Sequence, residues 1–132
     1  MRKLHTYLLL LFFAPLSAHG ELTYYFRHFG VEDGLPQNTV SCIFQDKQGF
    51  MWFGTKDGLS RYDGYTFRNF RHDKEDKNSI GNNFIRSIFE GDNGVLWIGT
   101  DAGVYIYHPA TESFTRFDLQ TADGIRIEKE VN

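Results

Sequence analysis

The chain has 132 residues, 41% of them hydrophobic and 17% aromatic, which predicts at most one folded domain and excludes a disordered chain. A net charge of −3 without a basic stripe argues against nucleic-acid binding. The single cysteine, Cys42, excludes an internal disulfide framework and is most simply a small buried hydrophobe. Thirteen glycines, thirteen phenylalanines and seven tyrosines favour many short strands joined by turns.

The first twenty residues have the pattern of a secretory signal. Arg2 and Lys3 form a positive start, residues 7–16 are an apolar run, and small residues follow up to Gly20. The run is too short for a membrane span, which needs about 20 apolar residues. We therefore expect cleavage after Gly20 and an exported protein.

An internal repeat covers most of the remaining chain. A shift of 45 residues aligns residues 40–44 with 85–89 and brings identical glycine, tryptophan, threonine and tyrosine residues into register. The repeat motif consists of Gly49, Trp52, Gly54, Thr55, Gly58 and Tyr62 in the first copy, and Gly94, Trp97, Gly99, Thr100, Gly103 and Tyr107 in the second. After a two-residue insertion, the spacing Phe67-x-x-Phe70 recurs at 114–117.

Each copy predicts four short strands, which in the first are residues 40–45, 50–55, 59–62 and 65–70, with turns ending in glycine between them. No sustained 3.6-residue apolar period is present, so helical repeats are disfavoured. Four antiparallel strands in about 45 residues is typical of a β-propeller blade. The predicted fold is therefore all-β, with two four-stranded blades of an incomplete propeller after the signal peptide.

The repeat also divides the chain into segments. They are a signal peptide (1–20), a lead-in (21–39), blade repeat 1 (40–70), an interblade loop (71–84), blade repeat 2 (85–117) and the start of a further loop (118–132). In the lead-in, Phe26-x-x-Phe29 has the spacing of a fourth strand, and we expect this lone strand to complete the last blade. Because a propeller needs at least about 4 blades to close, we expect the start of a longer protein or the product of a truncated gene.

Two segments carry a family resemblance. The sequences GLPQNTV at 34–40 and DKQGFMWFGTKDGLSRYDG at 46–64 closely resemble the two-component regulator propeller repeat, and NSIGNNFI at 78–85 with LWIGT at 96–100 resembles the next copy. The likeness is greatest to the N-terminal sensor region of hybrid two-component systems in Bacteroidetes-type bacteria.

The resemblance implies an exported sensor on the periplasmic side of the inner membrane, whose complete propeller binds an oligosaccharide and packs with the remaining blades. The full-length protein would be membrane-anchored, dimeric and a histidine kinase that controls glycan-use genes. The kinase, phospho-acceptor and DNA-reading parts have no counterpart here. We therefore expect no catalytic residue, cofactor or nucleic-acid partner for this segment. A propeller carbohydrate-active enzyme and a structural or partner-binding propeller remain alternatives.

Strand direction indicates which turns could bind a ligand. Turns after the second and fourth strands share one face of a blade, so Lys56, Asp57, Asp101 and the loop 71–82 lie together on the usual ligand face. Lys56, Asp57 and Asp101 are the candidate ligand-binding residues, and the alternative is that they are solvated turn residues. Ala102 stands where the first repeat has Asp57, so an obligatory role for that carboxylate is weakened.

Other chemistry-bearing residues predict structure more than binding. Trp52, Trp97, Tyr62 and Tyr107 could stack on sugar rings, but their strand positions favour the core. The histidines at 28, 72 and 108 are spread singly, so we expect no metal site. Gly91 replaces the turn residue Asp46, which suggests a re-formed turn at 92–94.

Overall fold

The computed structural model describes residues 20 and 22–118 and consists of two four-stranded antiparallel sheets. The first sheet, blade 1, has the order β1-β2-β3-β4, and the second, blade 2, has the order β5-β6-β7-β8. The strands are β1 (Val40–Gln45), β2 (Met51–Thr55), β3 (Gly58–Tyr62), β4 (Phe67–Phe70), β5 (Ile85–Glu90), β6 (Leu96–Thr100), β7 (Gly103–His108) and β8 (Ser113–Phe117). The predicted all-β fold with two four-stranded repeats is confirmed. The predicted signal peptide, apart from Gly20, and the segment 119–132 lie outside the described residues.

The turn between β1 and β2 is held by one carboxylate. Asp46 accepts the backbone N–H of Gln48 (3.0 Å) and Phe50 (2.9 Å) on Oδ1, and the indole N–H of Trp52 (2.7 Å) on Oδ2. Gly49 closes the turn with φ 93°, a conformation that a side chain would strain. Asp46 therefore fixes both the hairpin and the orientation of the Trp52 ring.

Blade 2 forms the same turn without the carboxylate. The backbone bonds Gly91 N–H to Val95 O (2.9 Å) and Gly94 N–H to Gly91 O (3.1 Å) repeat those made from Asp46 in blade 1. A turn does form at 92–94, as expected, and its backbone hydrogen bonds match those of the blade 1 turn, so the carboxylate is not needed to close it.

The main core lies between the two blades, where β5 packs against β1 and β2. Trp52 is 1% exposed, and its ring meets Tyr107 of blade 2 edge-on with centroids 5.0 Å apart. Phe70 extends the cluster, with its ring 5.4 Å from Tyr107 and 5.5 Å from Phe114. Aromatic pairs at these distances and angles add to the burial of apolar area. The two sheets are therefore held together by rings that blade 1 places on blade 2.

An ion cluster reinforces the same joint. Glu112, in the turn before β8, pairs with Arg61 of β3 (3.0 Å) and with Arg68 of β4. Arg61 also donates to the hydroxyl of Tyr107 (3.2 Å), and burial raises the pKa of that hydroxyl, so it stays protonated and neutral at neutral pH. Charged groups of the two blades thus meet beside the aromatic core.

The lead-in covers the other face of blade 1. Leu35 is 5% exposed and belongs to a second cluster with Phe53 and Tyr62, against which Phe29 and Phe67 pack. The structure assigns no strand to residues 22–30, so the pairing expected of the lone strand stays a prediction. Among the described residues, no helix has the length and apolar character needed to cross a membrane.

Gly54 of β2 lies where the two blades come closest. A Cβ built there would be 2.5 Å from Cys42 Sγ and 2.6 Å from Cγ2 of Ile85, which is fully buried in blade 2. At Gly99, the equivalent position of blade 2, the three nearest atoms to such a Cβ all belong to Ser87, and the one that would clash is its side-chain Oγ at 2.4 Å. The two repeat positions therefore differ in what a side chain would displace.

Gly54→Ala should destabilise the protein by about 1–3 kcal/mol, because a methyl group there forces the blades apart. Gly99→Ala is the matched control and should cost less, since the exposed Ser87 can change rotamer. Urea unfolding of both variants measures the difference. Equal losses at the two positions would contradict this account of the joint.

Gly91→Asp should stabilise blade 2 by about 1 kcal/mol, because it supplies the missing hydrogen-bond acceptor. A Cβ on Gly91 would lie 3.1 Å from Trp97 Nε1 and 3.3 Å from Asn93 Oδ1. The φ of Gly91 is not left-handed, so a side chain fits if both neighbours shift slightly. Gly91→Ala adds the Cβ without the carboxylate. The prediction fails if the midpoint of unfolding is no higher for Gly91→Asp than for Gly91→Ala.

Candidate functional site

The turns that carry the candidate residues are built by threonine and glycine. Thr55 Oγ1 donates to Gly58 O (2.8 Å) and accepts the N–H of Asp57 (3.1 Å). Thr100 makes the matching bonds in blade 2, to Gly103 O (2.9 Å) and from Ala102 N–H (3.1 Å). Because Ala102 completes the same turn, the turn does not require the carboxylate of Asp57. That carboxylate is available for other contacts.

Asp57 pairs with a residue of the interblade loop. Its Oδ2 accepts from Arg71 Nη2 at 2.8 Å, and its backbone carbonyl accepts from Arg71 Nε at 2.9 Å. Both side chains are about half exposed, so solvent screens the pair and its effect on stability is small. Arg71 also donates to Pro36 O (3.2 Å) and thereby joins the lead-in, the turn and the loop.

Phe84, just before β5, is the centre around which the other candidates lie. The ammonium of Lys56 is 5.8 Å from the centre of the Phe84 ring, and the guanidinium of Arg86 is 4.2 Å from it. The backbone N–H of Asp101 donates to Phe84 O (3.2 Å), and the Asp101 carboxylate accepts from Arg86 Nε at 2.5 Å. The hydrogen bond to Asp101 raises the pKa of Arg86, which therefore stays charged.

The structure thus brings all three predicted residues onto one surface. Lys56 and Asp101 both lie at Phe84. Asp57 lies beside them, because the residue after it, Gly58, donates its backbone N–H to the carbonyl of Asn83, the residue before Phe84 (2.8 Å). We call this surface the Phe84 face, and its side chains are Lys56, Asp57, Arg71, Phe84, Arg86 and Asp101. It offers charged donors, carboxylate acceptors and a partly exposed aromatic ring, a combination suited to a polar ligand with hydroxyl groups.

Sequence reasoning missed Phe84 and Arg86 and placed Arg71 on this face only as part of the loop 71–82. The loop 71–78 is exposed, but its turns are tied by side chains, for example Ser79 Oγ accepting the N–H of Asp73 at 2.9 Å. Phe84 lies one residue before the first strand of blade 2 and beside the turn that follows the second strand of that blade. This position is a sequence signal that could have identified it.

A separate open groove of about 410 Å³ runs between the outer strands of the two blades. Arg68, Asp73, Asp76 and Glu112 line it together with Phe70. It shares only Arg71 with the Phe84 face, and its position at the outer edge sets it apart from the turns that the repeat presents together. We favour the Phe84 face because it holds those turns, with Lys56, Asp57 and Asp101 at their tips.

The aromatic residues of the repeat motif lie mostly in the core. Trp52, Tyr62 and Tyr107 are buried, which leaves no ring face for a sugar, and Trp97 is partly exposed with Phe117 against it (4.8 Å).

Burial raises the pKa of the Cys42 thiol and disfavours the reactive thiolate. Over the part of the chain that the structure describes, no group of three or more His, Cys, Asp or Glu residues could hold a metal ion.

Two kinds of comparison identify relatives in sequence and in structure. A histidine kinase, P4, of Formosa agariphila is 41% identical over 82 residues, which are 61% of this chain and 6% of that protein. The extracellular domain assigned to hybrid two component system BT3049 of B. thetaiotaomicron superposes with a TM-score of 0.65 at 35% identity, over 74% of this chain and 14% of that one. The extracellular domain of BT4673 from the same organism gives a TM-score of 0.52 at 32% identity, over 60% and 11%. The chain therefore spans a small part of each relative.

The sequence model of the family described as "Two component regulator propeller" matches residues 34–57 and 79–102. Both matches begin in the segment before the first strand of a blade and end in the turn after its second strand, and they are 45 residues apart, as the internal repeat is. Sequence, fold and relatives agree, and the chain carries two copies of the repeat that this family model describes.

Proposed function

We propose that this chain forms the first two blades of the exported, ligand-sensing propeller of a hybrid two-component histidine kinase, and that the propeller detects oligosaccharides. The likeness to extracellular domains of two-component systems carries the proposal of export and sensing. The N-terminal pattern of residues 1–20 is consistent with export. The chain itself senses and does not catalyse, and the kinase activity belongs to another part of the full-length protein.

The Phe84 face supports a sugar as the ligand. Oligosaccharides present hydroxyl groups that both donate and accept, and this face places carboxylates beside cationic donors. Lys56 is exposed, with its ammonium over the Phe84 ring, and can bind a hydroxyl or an acidic group without breaking either ion pair. A propeller would present such groups from successive blades around one end of its channel.

The gene sequence downstream of residue 132 gives the first test. We expect further repeats of about 45 residues, then a membrane helix, a histidine kinase and a receiver module. A genome with no further blades and no kinase in any reading frame would exclude the sensor and leave a two-blade protein.

Lys56→Gln and Asp101→Asn in the complete extracellular domain should each weaken oligosaccharide binding by about 10-fold, which corresponds to about 1.4 kcal/mol. Isothermal titration calorimetry against a panel of neutral and acidic oligosaccharides measures the affinity of the wild type and both variants. Lys74→Gln, which removes a cation from the exposed loop, is the matched control and should bind normally.

Melting temperatures close to the wild-type value would show that both variants fold. Unchanged affinity of the two variants for an oligosaccharide that the wild type binds would exclude the Phe84 face. Cleavage of an oligosaccharide by the domain, abolished by one carboxylate substitution, would instead favour the carbohydrate-active enzyme.

A further inference from the structure

A small cavity lies between the two blades, beside the aromatic core and away from the Phe84 face. Its volume is about 10 Å³, close to the smallest space that holds one ordered water molecule. The polar side chains that line it are Asp46, Gln48, Arg61, Glu90 and Tyr107. The cavity therefore has the size of a single water and a wall that can form hydrogen bonds with it.

The hydroxyl of Tyr107 brings a proton to this cavity. Tyr107 is 1% exposed, and its oxygen accepts a hydrogen bond from Arg61 Nη1 at 3.2 Å. A phenolic hydroxyl also keeps its own proton at neutral pH. Within residues 22–118, the structure shows no group that accepts this proton. Because a buried donor without an acceptor is costly, the hydroxyl points to a ligand that can accept a hydrogen bond.

The equivalent tyrosine of blade 1 uses its proton within its own blade. Tyr62 donates its hydroxyl to Gly64 O at 2.6 Å, in the turn that follows β3. In blade 2 this turn is two residues longer, and Pro109 stands at the position equivalent to Gly64. Tyr107 makes no such bond to its own turn and instead contacts Arg61 of blade 1. The two tyrosines are therefore equivalent in the repeat but differ in where their hydroxyl groups donate.

Two carboxylates of the cavity wall can accept a further hydrogen bond. Glu90 accepts the backbone N–H of Lys47 on Oε2 at 2.9 Å, and no described residue donates to its Oε1. Asp46 Oδ2 accepts the indole N–H of Trp52 at 2.7 Å, and a carboxylate oxygen has room for a second donor.

The charges around the cavity restrict what can occupy it. The carboxylates of Asp46 and Glu90 repel an anion. The guanidinium of Arg61 repels a cation, and a cation cannot accept the proton of Tyr107. A small neutral molecule that both accepts and donates hydrogen bonds satisfies all of these groups, and at this volume that molecule is water.

We propose that one ordered water molecule fills this cavity and is a permanent part of the contact between the blades. It accepts the proton of Tyr107 and donates to the carboxylates of Asp46 and Glu90, which gives the three hydrogen bonds that are usual for a buried water. Asp46 follows β1 of blade 1, whereas Glu90 and Tyr107 belong to β5 and β7 of blade 2. The water therefore bridges the two sheets.

The next face of the repeat lacks the groups that hold this water. Gly91 stands at the position equivalent to Asp46, and Ile106 at the position equivalent to Arg61. Blade 2 thus offers neither a carboxylate nor a guanidinium from these two positions to whatever packs beside Trp97. We expect the bridging water between blades 1 and 2 and none at the equivalent position beside Trp97, which provides an internal control.

Crystal structures of the complete extracellular domain and its variants test the site. In the wild type we expect a water about 2.6–3.2 Å from Tyr107 Oη and from a carboxylate oxygen of Asp46 or Glu90. Tyr107→Phe should lose this water, because it removes the donor. Tyr62→Phe is the matched control and should keep it, since the Tyr62 hydroxyl bonds to Gly64.

Rubidium chloride soaked into wild-type crystals separates water from a monovalent cation, because rubidium scatters anomalously and water does not. We expect no anomalous peak in the cavity. A rubidium peak there, a direct hydrogen bond from Tyr107 Oη to either carboxylate, or a water that stays in place in Tyr107→Phe would overturn the proposal. None of these results depends on whether the domain binds a sugar.

Discussion

The packing of one sheet against the next is the interaction on which the rest of this structure depends. A four-stranded sheet with two apolar faces is not stable alone in water, because its core exists only where a neighbour covers it. Here that neighbour is supplied by the repeat, and the ring of Trp52 against Tyr107 marks the centre of the contact. The hydrogen bond from Trp52 to Asp46 sets the angle of the indole, and Gly54 lets the backbones approach.

The candidate site follows from that contact. Phe84 and Arg86 belong to the start of blade 2, whereas Lys56 and Asp57 belong to a turn of blade 1. They form one surface because β5 packs against β1 and β2. The threonine-capped turns are the same in both repeats. The residue at the tip, which is Asp57 in one and Ala102 in the other, can therefore change without destabilising the blade. Binding chemistry on such a scaffold is carried by the tips, and stability is carried by the strands.

Much of the fold was readable from the sequence, since a 45-residue period, glycines at turns and one tryptophan per repeat each have a direct physical meaning. Two strands start one or two residues later than predicted, at Met51 and Phe67. The residues just before them, Phe50 and Thr66, still donate their backbone N–H to the turn carboxylates of Asp46 and Asp63. The site was harder to predict. The face of Lys56, Asp57 and Asp101 followed from strand direction, but Phe84 and Arg86 come from a second blade, and their approach depends on interblade geometry that spacing does not encode.

The ion cluster at the joint gives the order of the blades a physical basis. Tandem repeats of similar sequence can fold with the wrong neighbours, because every apolar face resembles every other. Arg61 and Arg68 meet Glu112 across the joint, whereas blade 2 has Ile106 and Thr115 at the positions equivalent to those arginines. A blade that mispaired there would leave the mostly buried Arg61 or the partly buried Glu112 without a counter-charge. The joint between blades 1 and 2 thus carries a combination of charges that the equivalent positions of blade 2 do not repeat, and this distinguishes blade 1 from blade 2 where the apolar repeat alone would not.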